Sequence, residues 1–203
     1  MKKSVIMATS LALFTHLVAL AQDQTARGTF FKPVPRNHEV KHAFEIEAVP
    51  IPYFVGGYHV SAGYRYKKFR FRASVIDAGT FNSESIGNTT NPGFRRYETK
   101  GSFGTFLGYF PWKNLETYLF LDGQRFKIKQ EPTDLTKTIS ATTPGVGVSY
   151  QFFLGRYFYL QPGLHLYLRE GKTVTFENGQ AYNLASRDFT FLFRVGFRPW
   201  KKF

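Results

Sequence analysis

From Tyr58 to Val75 the large apolar residues alternate strictly but change parity midway. Tyr58, Val60, Ala62, Tyr64 and Tyr66 precede Lys67 and Lys68, whereas Phe69, Phe71, Ala73 and Val75 follow them. Successive strand side chains point to opposite faces, so each half reads as one strand with an apolar and a polar face. Residues flanking a two-residue hairpin loop pair and share a face, so Tyr66 and Phe69 belong together. The parity change predicts a tight hairpin turning at Lys67 and Lys68.

The same reading along the chain gives eight strands. The first runs from Lys41 to Val49, with Phe44, Ile46 and Ala48 opposite Glu45 and Glu47, and the hairpin supplies the second and third. The fourth, Arg95 to Phe110, sets Tyr97, Phe103, Leu107 and Tyr109 against Arg96, Glu98, Lys100, Ser102 and Gly104. In the fifth, Leu115 to Lys129, Leu119 and Leu121 disagree in parity with Phe126 and Ile128, which predicts a bulge near Gly123. The sixth (Ile139 to Phe152), seventh (Tyr157 to Arg169) and eighth (Asp188 to Pro199) alternate cleanly, the last carrying Phe189, Phe191, Phe193, Val195 and Phe197 on one face. A three-residue loop of Leu154, Gly155 and Arg156, with Gly155 left-handed, keeps parity between the sixth and seventh.

Short connections at Lys67-Lys68, Pro111 to Asn114 and Leu154 to Arg156 alternate with longer ones at Pro50 to Gly56, Gly79 to Gly93, Gln130 to Thr138 and Glu170 to Arg187. Short turns at one end, long loops at the other and an even strand count match the layout of bacterial outer-membrane barrels. A soluble lipocalin-like carrier has the same strand pattern with its apolar face inward. Phe189, Phe191, Phe193 and Phe197 would overfill an eight-stranded interior, whereas lipid sets no volume limit, so the apolar face is expected outward. Tyr64, Tyr66, Tyr109, Trp112, Tyr157, Tyr159 and Trp200 fall near the short-turn ends, where an interfacial aromatic girdle belongs.

The N-terminal segment reads differently. Lys2 and Lys3 precede a mostly apolar run to Leu20, and Ala19-Leu20-Ala21 supplies an A-x-A cleavage site. The expected organisation is a signal peptide over 1–21, a proline-braced periplasmic lead-in or plug over 22–40, and a barrel over 41–203. The chain has 27 Lys and Arg against 14 Asp and Glu; without Lys2 and Lys3 the excess is 11, 25 against 14. In an exported protein such an excess favours lipid phosphates over nucleic acid, for which no motif is present. The absence of cysteine excludes disulfides and thiolate metal sites.

Beside these features the chain resembles the small eight-stranded outer-membrane barrels of the OmpA and OmpX type and similar barrel-domain proteins of Bacteroidetes. The resemblance covers Lys41 to Phe203 and rests on the signal peptide, the strand and loop pattern, and a last stretch, FTFLFRVGFRPWKKF, in which Phe203 keeps the odd parity of Phe189 to Phe197. It implies an all-β, antiparallel up-and-down transmembrane barrel in the outer membrane. Its partners would be membrane lipid and lipopolysaccharide, the barrel assembly machinery through the C-terminal strand, and an unidentified extracellular ligand. It transfers no activity.

Candidate chemistry is sparse. Closing the barrel sets the first strand beside the eighth, so Glu45 and Glu47 are expected to face Arg194 and Arg198, with Arg65 adjacent. These form a lumen charge network, since unpaired buried charge is costly. His59 and Ser61 share a strand face with Glu45 and Glu47 nearby, which keeps a lipid-modifying hydrolase as an alternative. His59 and His165 are too few for a metal site, and no cofactor motif is present. The expected role is structural or loop-mediated binding. Asn88-Thr89-Thr90 matches a glycosylation sequon.

Overall fold

In a computed structural model of the chain, residues 38–85, 91–131 and 133–203 are described. The signal peptide, nearly all of the lead-in and the sequon at 88–90 lie outside them. Among the described residues twelve strands form: β1 (His42–Ala48), β2 (Tyr58–Tyr66), β3 (Phe69–Asp77), β4 (Phe94–Glu98), β5 (Ser102–Trp112), β6 (Leu115–Gln130), β7 (Thr136–Tyr150), β8 (Phe152–Leu154), β9 (Phe158–Leu168), β10 (Lys172–Thr175), β11 (Ala181–Leu184) and β12 (Arg187–Lys202). β4 and β5 both pair with β6, and β7 and β8 both pair with β9, so each couple makes one stave. β12 pairs with both β9 and β1. The result is a closed antiparallel barrel of eight staves, with β10 and β11 a separate hairpin.

The opening hairpin turns where the parity change places it, with Tyr66 paired to Phe69 and Lys67 at a φ of 52°. The turn before β9 holds Gly155 left-handed at 75°; its three residues, 155–157, are one step later than expected. The connection expected from Gln130 to Thr138 shrinks to 131–135, because β6 and β7 run past the rest of the barrel as a long ribbon. The last long connection contains the β10–β11 hairpin, which folds over the outer end.

The expected bulge near Gly123 is absent. β6 keeps one register with β7 from Leu115 opposite Tyr150 to Lys129 opposite Thr136. The irregularity lies across the sheet: Glu98 pairs with Phe126 and Phe103 with Gly123, so two extra residues are looped out between β4 and β5. A second irregularity falls in β12, where the register shifts between the Phe44–Trp200 and Ile46–Phe197 pairs. Pro199 lies there and has no N–H to give the ladder. The shift inverts the phase beyond it: Trp200 and Lys202 pair with the row of Phe44 and His42, and Phe203 falls out of step with Phe189 to Phe197.

The apolar rows face outward. Phe69, Phe71, Val75, Leu107, Leu119 and Phe191 are all exposed, while charged residues fill the interior. The soluble carrier needs the reverse arrangement. Six of the seven expected girdle residues project outward; Tyr159 is fully buried and points into the lumen. The lumen also holds more bulk than a lining of small and charged residues: Phe106, Phe110, Tyr118, Phe120 and Tyr159 all turn inward. Glycines on neighbouring strands make room. Tyr159 lies opposite Gly196, where a Cβ would stand 2.1 Å from its ring.

Candidate functional site

The inward faces bring the charges together. β1 contributes Glu45 and Glu47, β3 contributes Arg70 and Arg72, β6 contributes Glu116, and β12 contributes Arg194 and Arg198, none more than 2 % exposed. Arg70 is the hub. Its Nη1 donates to Glu45 Oε2 and Glu47 Oε1, both at 2.6 Å, and its Nε donates to Glu116 Oε1 at 2.8 Å while Nη2 reaches Glu116 Oε2. Arg198 forks onto Glu45 through Nε at 2.9 Å and through Nη2. Arg72 Nη1 donates to Glu47 Oε2 at 2.8 Å, and Tyr159 Oη donates to Glu47 Oε1 at 2.8 Å. Gln161 Nε2 donates to Glu116 Oε2 at 2.7 Å and to Ser149 Oγ at 2.6 Å, which carries the network to the far wall. Glu45, Glu47 and Glu116 therefore each receive several charge-assisted hydrogen bonds, the condition under which buried charge is tolerated.

Of the five residues expected in this network, Glu45 and Arg198 form a direct pair. Arg194 Nε is 3.9 Å from Glu47, and its Nη2 donates instead to His165 Nε2 at 2.9 Å. Arg65 is adjacent but turns away: it donates to the carbonyls of Lys67 (2.9 Å) and His38 (3.0 Å), and its guanidinium lies 3.7 Å from the centre of the Phe110 ring. The missed hub was nevertheless written in the opening stretch. Arg70 and Arg72 alternate with Phe69 and Phe71, so the apolar row alone assigns them to the lumen. That one arginine serves three carboxylates depends on distances across the bore, for which periodicity carries no signal.

The hydrolase constellation does not assemble. Ser61 Oγ donates to Glu47 Oε2 at 3.5 Å and has no hydrogen bond to His59. Glu47 is already engaged by Arg70, Arg72 and Tyr159. His59 and His165 instead line a cavity of about 140 Å³ in the outer half of the barrel, with Phe106, Asp122, Arg169 and Asp188.

At the outer end of the cavity the interior changes character. Arg96 and Arg169 share Asp188 at 3.4 and 3.6 Å. Over them, Phe126 and Ile128 of β6 and Ala141 of β7 pack with Phe176, Tyr182 and Leu184 of the folded-over hairpin segment. Tyr182 Oη anchors this cap by donating to Glu84 Oε2 at 2.8 Å.

No family model and no curated protein matches the chain. Solved structures similar to it include the N-terminal β-barrel domain of Pseudomonas aeruginosa OprF, at 16 % identity and a TM-score of 0.43, covering 78 % of this chain and 98 % of that one. Neisserial surface protein A is similar at 15 % identity and a TM-score of 0.42, covering 79 % and 97 %. A major outer membrane protein from Thermus thermophilus is similar at 13 % identity and a TM-score of 0.41, covering 77 % and 98 %.

Proposed function

We infer that this chain is an integral outer-membrane protein whose barrel is a closed, non-conducting scaffold for its outer loops. The observation that carries this reading is the inverted polarity of the wall: large apolar side chains outside, ionised ones within. In water that arrangement would expose an apolar band far larger than monomeric soluble proteins tolerate. In a bilayer it satisfies every strand, because a closed barrel leaves no edge unpaired. Among the described residues no helix is long and apolar enough to cross a membrane, so crossing falls to the strands. The charge network and the inward aromatics fill the bore, which supports a plugged lumen and argues against a general pore.

The chain has no cysteine, so single thiols can be introduced. A cysteine replacing Asn178, in the β10–β11 turn, is expected to react with a membrane-impermeant maleimide on intact cells, and one replacing Arg156, in a short turn, only after lysis. Protection of both until lysis would overturn the topology. In planar bilayers the purified protein is expected to give no stepwise ionic current; discrete openings would overturn the closed lumen while leaving the membrane reading intact.

A further inference from the structure

One side of the outer rim is built unlike the rest. The outward row of β6 reads Leu115, Thr117, Leu119, Leu121 and Gly123, then Arg125, Lys127 and Lys129. Beside it β4 turns Arg95 outward, and exposed Lys100 lies in the two-residue irregularity before β5. On the other flank β7 presents Thr136, Thr138, Ser140 and Thr142, all exposed. Five cations and four hydroxyls thus share one surface.

Two of the cations have acidic neighbours: Arg95 pairs with Glu131, and Lys129 with Asp134 at 2.8 Å. The hydrogen bond from Lys129 holds the Asp134 carboxyl below its ordinary range, so this pair stays ionised. Lys100, Arg125 and Lys127 have no carboxylate within ion-pair distance among the described residues, which leaves three cations unmatched. No other stave ends its outward row at this rim in more than one base among the described residues.

The height of the patch identifies what it meets. Leu115 to Arg125 spans about 33 Å along a strand rising about 3.3 Å per residue. At the usual tilt of roughly 35–45° this is about 25 Å along the barrel axis, the height of the apolar band of such barrels. Arg125 therefore lies at the outer edge of the hydrocarbon, with Lys127 and Lys129 above it at headgroup level. Unmatched cations at that level call for an anion held in the leaflet, and a flanking row of hydroxyls suits sugar hydroxyls rather than a bare phosphate.

Resting on the outer-membrane reading, we propose that the outward face of β4, β6 and β7 is a binding site for a phosphorylated glycolipid of the outer leaflet, with Lys100, Arg125 and Lys127 meeting its phosphates and Thr138, Ser140 and Thr142 its sugar. A lipid held there would brace the tall ribbon against the membrane on one side of the barrel.

The test is a native mass spectrometry titration of the full chain in detergent micelles with bis-phosphorylated lipid A. Arms with dephosphorylated lipid A, phosphatidylglycerol and inorganic phosphate run beside it. The triple variant Lys100→Ser, Arg125→Ser, Lys127→Ser is expected to bind lipid A roughly 100-fold more weakly, since each of the three bases near an anionic surface contributes about 1 kcal/mol. A matched variant at the opposite rim, Lys68→Ser, Arg156→Ser, Lys202→Ser, is expected to bind within about twofold of the parent, on the same principle. Dephosphorylated lipid A is expected to bind the parent as weakly as lipid A binds the outer-rim variant. Undiminished binding by the outer-rim variant, or equal loss in the control, overturns the proposal. Equally tight binding of phosphatidylglycerol, or displacement by inorganic phosphate alone, overturns the glycolipid assignment. Heat-modifiable migration checks that each variant folds, and Lys127→Ser alone, an exposed change, carries the test if the triple variant fails that check. The labelling and conductance experiments use none of the outer-rim residues, so this proposal and the outer-membrane reading fail independently.

Discussion

The inner half of β6 turns Leu119 and Leu121 outward and Glu116, Tyr118, Phe120 and Asp122 inward, while its outer half turns Arg125 and Lys127 outward and Phe126 and Ile128 inward. One uninterrupted strand, in one register with its neighbour, carries both patterns. The backbone is the same; the media differ. On the outer-membrane reading the inner half meets lipid tails outside and a charged bore within, whereas the outer half meets the headgroup layer outside and a folded-over hairpin within. Alternation therefore reports which face a residue takes, and its polarity reports what lies beyond that face.

The sharpest way to break this comparison is to remove the hub of the charged half. Arg70→Ala leaves Glu45, Glu47 and Glu116 short of donors and is expected to destabilise the barrel by about 3–5 kcal/mol, read by urea unfolding in micelles. An unmoved midpoint would mean that water, and not Arg70, solvates those carboxylates. Next, Leu119→Arg, on the lipid face, is expected to cost about 2–4 kcal/mol in the same assay, whereas Arg125→Leu, six positions outward in the same row, is expected to cost under about 1 kcal/mol. Equal costs would erase the boundary placed at Gly123.

Within the outer half, Ile128→Ala removes a fully buried side chain and is expected to weaken the cap by about 2–4 kcal/mol. The loss should appear as faster proteolysis between 172 and 184 with the barrel midpoint unchanged, because the cap packs mainly on itself and on the tips of β6 and β7. The smallest effect concerns the surface: Glu131→Gln with Asp134→Asn frees Arg95 and Lys129, and is expected to leave stability within about 0.5 kcal/mol while tightening lipid A binding a few-fold. Weaker binding would count against the cationic patch.

Much of this was legible from alternation. The hairpin at Lys67-Lys68, the staves and the outward placement of Phe189 to Phe197 follow from a period of two. Where the structure departs from alternation, the cause is specific. The parity disagreement between Leu121 and Phe126 implies a bulge only if each face meets one medium along its whole length, and the odd parity of Phe203 holds only without the register shift at Pro199. Tyr159 lies near a turn, as interfacial aromatics do, but its neighbours Phe158 and Leu160 define the outward row.

The sequence by itself determined the strands, their faces and the presence of arginines and glutamates on the inward side, because these depend only on the two-residue repeat. Tertiary structure alone decided that Arg70 and not Arg65 gathers the carboxylates, that Glu47 is engaged by Arg70, Arg72 and Tyr159 and not by a Ser61–His59 pair, and that the last loop folds down as an apolar cap. Each of those depends on distances across a closed bore between residues far apart in the chain, and local periodicity holds no information about them.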